Sequence, residues 1–114
     1  MEEIDLNTQL IEIDLFNLFK IQIKKDFETC GLDVNFINDL PSDFFKLKAI
    51  FINQLQPLFI NKKALSNLLN RIDISETQLN NYQAKKISFS FEEIIAELII
   101  KRTLQKVILK KRFS

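Results

Sequence analysis

SFEEIIAELIIKRTLQKVILKKRF, residues 90–113, is the stretch that decides the fold. Ser90 and Glu93 match the S-x-x-E capping box, in which the hydroxyl accepts from an early backbone N–H and the carboxylate reaches back to the cap. The segment therefore predicts a helix with a fixed start. At about 100° per residue, Phe91, Ile94, Ile95, Leu98, Leu109 and Phe113 fall on one side, while Ile100, Leu104, Val107 and Ile108 fall nearly opposite. One neighbouring helix cannot cover both sides. Lys110, Lys111 and Arg112 close the segment, where cations favour the negative end of the helix dipole.

A chain of 114 residues builds one hydrophobic core, so residues 1–114 are expected to form a single helical domain. The composition is globular, and 11 Phe against one Tyr and no Trp predict a phenylalanine-rich interior. Gly31 is the sole glycine, which leaves few positions for the positive-φ turns of tight hairpins. The expected fold is all-α, a compact domain of four to five helices with long N- and C-terminal ones.

Working back along the chain, Ile11, Ile13 and Leu15 alternate as a strand would, but Phe16, Phe19, Ile23, Phe27 and Cys30 recur at helical spacing. Lys24, Lys25, Asp26 and Glu28 lie outside that stripe, and Gly31 follows as a residue able to end the helix at positive φ. A first helix over 10–30 follows. Leu32 to Asn38 reads as a connector with a helical turn capped by Asp33 or Asn35, and Pro41 and Ser42 open a helix with Phe44, Leu47, Phe51 and Leu55 inside. Pro57 is expected to kink or break it between Gln54 and Pro57. Leu65, Leu68, Leu69 and Ile72 mark the next helix, and Ser75 with Gln78 gives a second capping-box match before Leu79 and Tyr82. Phe16, Phe19, Phe27, Phe51 and Leu98 are expected to share one core.

The residues that carry most enzyme chemistry are absent. With no His, the commonest general base and transition-metal ligand is missing, and one glycine excludes the glycine-rich phosphate loops. Carboxylates alone remain as hard-cation ligands, namely Glu92, Glu93 and Glu97, or Glu12 and Asp14. The first two fit the start of a helix, where acids are ordinary, and Glu97 stands four residues before Lys101. No catalytic residue, metal site or cofactor is expected. Cys30 has no partner for a disulfide and follows an apolar stripe, so it reads as a small buried hydrophobe. Met1, Glu2 and Glu3 lack the basic region of a secretory signal, and no apolar run reaches the ~20 residues that cross a bilayer. A cytoplasmic protein is expected.

Formal net charge is +1, but residues 1–84 carry 8 basic and 12 acidic side chains, net −4, and residues 85–114 carry 8 and 3, net +5. Either the basic end binds a polyanion or it pairs with the acidic body. The side of the last helix formed by Leu104, Val107 and Ile108, rimmed by Lys101, Lys111 and Arg112, is the expected contact face for a partner protein or a second copy. The leading reading is a non-enzymatic protein-interaction module or small assembly subunit. A surface-lying membrane helix fits less well, because the apolar residues are not confined to one face.

Leu65-Ser66-Asn67-Leu68-Leu69 followed by Ile74-Ser75-Glu76-Thr77-Gln78-Leu79-Asn80-Asn81-Tyr82 resembles the helix-turn-helix of bacterial repressors. The resemblance implies that Gln78, Asn81 and Gln83 face base edges and that Lys85 and Lys86 contact phosphates. Nucleic-acid binding through residues 65–86, or through the basic C-terminus, is thus the alternative function. The connector reads as about three residues longer than the usual unit and lacks its glycine, the reading helix has Glu76 and no Arg or Lys before Lys85, and the net charge is near neutral, so no sequence-specific binding is expected.

Overall fold

The computed structural model describes residues 12–113. In order these form α1 (Ile13–Thr29), a short 3-10 helix (Asn35–Asp39), α2 (Phe44–Gln54), α3 (Gln56–Phe59), α4 (Lys62–Ile72), α5 (Glu76–Lys85) and α6 (Phe91–Phe113). No strand occurs among the described residues. The all-α fold with long first and last helices is as the sequence predicts, with the break at Pro57 raising the count to six α-helices among the described residues.

Local chemistry sets most helix ends. The Glu12 carboxylate caps α1 by accepting from the N–H groups of Asp14 and Leu15, each at 3.1 Å. Leu10 and Ile11, assigned to this helix from the sequence, lie outside the described residues. Gly31 ends α1 at φ 73°, which lets the Leu32 N–H reach back to the Phe27 carbonyl at 3.0 Å. Asp33 supports the start of the 3-10 helix, accepting from the Asn35 N–H at 3.4 Å. The next start differs from expectation. Asp43 caps α2 in place of Ser42, its carboxylate accepting from the Lys46 N–H at 3.0 Å, so the helix begins at Phe44. Pro57 acts as predicted: α2 stops at Gln54 and the proline sits in the first turn of α3, where a missing N–H costs nothing. Both bonds of both capping boxes are present, at Ser75 with Gln78 and at Ser90 with Glu93.

α6 is the axis of the molecule and is packed on by α1, α2, α4 and α5. Four neighbours in the same chain therefore cover both of its sides. Ile95, Ile99, Ile100 and Leu104 are fully enclosed and Val107 is buried. The expected apolar patch is thereby overturned: Leu104 and Val107 are core residues, and Ile108 is half-buried against that core. A helix apolar all round marks a surrounded helix, and here the surroundings come from the chain itself.

Phe19, Phe27, Phe51 and Leu98 are buried as predicted, while Phe16 is half-buried at the edge of the core. The Phe27, Phe36 and Phe51 rings meet pairwise at centroid distances of 5.7–6.1 Å, tilted or edge to face. Inside α6 the Thr103 hydroxyl is buried without a hydrogen-bond partner. Such a group forfeits its hydration for nothing. Thr103→Val keeps the shape and removes the orphan, and is expected to raise stability by about 1 kcal/mol in chemical denaturation. A loss of stability would show that the hydroxyl has a partner.

Candidate functional site

Three cations of α6 reach acids contributed by the net-negative part of the chain. Lys106 Nζ lies 3.2 Å from Asp26, Arg102 2.9 Å from Asp73, and Lys111 3.6 Å from Glu12. Much of the charge asymmetry between the two parts of the sequence is thus internal pairing. Among the residues expected to form a contact face, Lys101 stands over the Tyr82 ring at 5.4 Å, Lys111 faces Glu12, and Arg112 is exposed. With Leu104 and Val107 in the core, these residues do not form one surface.

Two buried carboxylates organise the polar interior, and neither was legible as such in the sequence. Asp26, read as lying outside the α1 stripe, is fully buried. Its Oδ1 accepts from Gln22 Nε2 and from Arg71 Nε, each at 3.1 Å, and its Oδ2 from Lys106 Nζ at 3.2 Å. Lys110 Nζ donates to Gln22 Oε1, extending the chain of contacts to the end of α6. The cluster ties α1, α4 and α6 together.

Glu97 is also buried. Its Oε1 accepts from the Tyr82 hydroxyl at 2.5 Å and its Oε2 from Lys48 Nζ at 2.8 Å, so it joins α2, α5 and α6. Burial, and then the adjacent carboxylate, push the Tyr82 phenol well above its ordinary pKa. Lys48 also reaches Glu93 at 3.2 Å and stands 4.4 Å from the Phe89 ring centroid. Burial pulls the Lys48 pKa down, but its hydrogen bonds and charge contacts with Glu97 and Glu93 outweigh that and leave it raised. Glu93 is held below the usual carboxylate range by the Ser90 N–H and then by Lys48.

Three of the five carboxylates singled out as cation ligands are thus committed elsewhere. Glu12 caps α1, Glu93 caps α6 and pairs with Lys48, and both Glu97 oxygens are taken. No group of three or more potential ligands occurs among the described residues. Cys30 is half-buried rather than enclosed, and burial raises its thiol pKa.

The outer surface holds the more informative features. On α1, Ile13, Leu18 and Ile21 are exposed, Ile21 at 65 %. Ile21 forms a ridge between two grooves. One, toward the 3-10 helix, is lined by Asn17, Lys20, Lys24, Ile37 and Asn38, and the other, toward α6, by Leu18, Gln22, Lys25, Val107 and Lys110. The apolar ridge is therefore bordered by lysines on both sides, with no carboxylate in either groove lining. No family model, curated protein or solved structure matches this chain, so the surface is read from its own chemistry.

Proposed function

We propose that this chain is a non-enzymatic protein-interaction module whose contact surface is the outward side of α1 with the adjoining basic end of α6. The observation that carries this reading is the placement of Ile21, two-thirds exposed on a ridge between grooves lined by Lys20 and Lys24 on one side and Lys25 and Lys110 on the other. A large aliphatic side chain two-thirds exposed on a helix surface contributes little to this fold. Against a partner it contributes about 1.5 to 3 kcal/mol when fully covered, before ordering costs. The bordering lysines favour an acidic partner surface, which a second copy of the net-negative part of the chain also offers.

The test is the double change Leu18→Asp with Ile21→Asp, read by sedimentation of the pure protein and by photo-crosslinking from position 25 in native lysate. The expected result is an unchanged thermal melt with loss of self-association or of the crosslinked partner. Association weakened by less than about threefold in a folded variant would remove this face from the reading.

A further inference from the structure

We propose that α4, the turn Asp73–Ser75 and α5 form a helix-turn-helix unit that reads A·T base pairs in the major groove of duplex DNA through Thr77, Asn80, Asn81 and Ala84. The expectation against such binding rested on the near-neutral charge and on an overlong, glycine-free connector, and the structure removes the second of these grounds. In the structure α4 continues to Ile72, and only Asp73, Ile74 and Ser75 separate it from α5. That is the length the motif uses. Asp73 adopts φ 76° and ψ 43°, the left-handed conformation for which glycine is the usual choice and which Asp tolerates. The Ile74 N–H then closes the end of α4 on the Leu69 carbonyl at 2.8 Å. Arg102 holds the turn from α6, donating to the Asp73 carbonyl at 3.2 Å and to its carboxylate at 2.9 Å.

The same geometry fixes which side of α5 faces out. Ile72, Ile74 and Tyr82 are buried and Leu79 is half-buried, with Tyr82 anchored on Glu97. The opposite row, Thr77, Asn80, Asn81 and Ala84, recurs at i, i+3, i+4 and i+7, and every member is exposed. None of the four is charged. An Asn amide matches the N6 and N7 edge of adenine, and the methyl groups of Thr and Ala fit the thymine methyl, so this row suits A·T pairs. The structure also revises the residues that the resemblance implied. Gln78 is engaged in the Ser75 cap, Gln83 is half-buried, and Lys86 stands near the Tyr82 and Phe89 rings, leaving Asn81 and Lys85 on the outer surface.

Cations flank this row rather than interrupt it. Lys62 lines the groove between α4 and α5, a space of about 490 Å³ that Glu76 also lines, and the groove between α5 and α6 beside Gln78 holds Lys101, over the Tyr82 ring, and Arg102, paired with Asp73. Phosphates border the bases on both sides of a major groove, which is where such charges position a reading helix. Residues 62–86 carry 5 basic and 2 acidic side chains, net +3, although the whole chain is only +1. Glu76, in the first turn of α5, opposes phosphate and keeps non-specific affinity low. This surface shares no residue with the α1 ridge, so either reading stands or fails alone.

The experiment is in vitro selection of the full chain on a randomised duplex library, followed by fluorescence polarisation at several salt concentrations. The probes are the enriched duplex, a scrambled duplex and the single-stranded RNA of the enriched sequence. The expected result is an A·T-rich core bound at least about tenfold more tightly than the scrambled duplex. Asn80→Ala and Asn81→Ala should each abolish about tenfold of that preference while leaving scrambled binding and the thermal melt unchanged. Lys62→Gln should weaken both duplexes alike and lower the salt slope by about one. No enrichment, a G·C core, tighter binding to the RNA, or undiminished preference in both Asn variants would each overturn the proposal.

Discussion

Phe51→Ala is expected to cost about 3 to 5 kcal/mol in chemical denaturation, a large share of the stability of a domain this size. Phe51 is fully buried on α2 and packs its ring against Phe27 of α1 and Phe36 of the 3-10 helix. The rings belong to separate elements, so no single rotamer change refills the space. The upper half of the range is favoured by that geometry, because a cavity bordered by rigid rings relaxes little. Phe51→Leu, which keeps most of the volume, should cost roughly half as much. A loss below about 1 kcal/mol for Phe51→Ala would place this side of α2 at the surface and undo its register.

What was legible in the sequence is what a few adjacent residues decide. The capping boxes at Ser75 and Ser90, the positive φ at Gly31 and the break at Pro57 each depend on backbone within about four residues. The inward row Phe44, Leu47, Phe51 and Leu55 was equally plain, since 3.6-residue periodicity needs no knowledge of the partner. The second apolar side of α6 was visible too, but its owner was not. Whether Leu104 and Val107 meet a second molecule or this chain depends on where α1, α2, α4 and α5 return, and those contacts are separated by tens of residues.

The length of the turn after α4 failed for a related reason. The turn was counted from Leu69, although Ile72 belongs to the apolar row that marks α4 and its fully buried side chain holds the helix to that point. Asp73 then takes a conformation that composition alone assigns to glycine. Counting glycines therefore underestimated the turns this chain makes.

The polar interior was the least legible part, and it carries the second large effect. Asp26→Ala is expected to destabilise the fold by about 3 to 5 kcal/mol, because removing one member of a buried ion cluster strands the others. Arg71 and Lys106 would then face each other across a vacated, water-poor site, and the Gln22 amide would lose an acceptor. Part of this cost is recoverable, since Arg71 is partly exposed and its head can turn toward solvent. Lys106 is more confined. Two further changes separate charge from packing. Asp26→Asn keeps the shape and one acceptor but removes the countercharge, and should incur most of that loss. Asp26→Leu combined with Lys106→Met and Arg71→Met replaces the cluster with apolar groups and should recover most of the about 3 to 5 kcal/mol lost in Asp26→Ala. If the triple variant is no more stable than Asp26→Ala, the ionic cluster itself contributes net stability to this junction of α1, α4 and α6. If Asp26→Ala costs under about 1 kcal/mol, water reaches the site and the three helices are held by their apolar contacts alone.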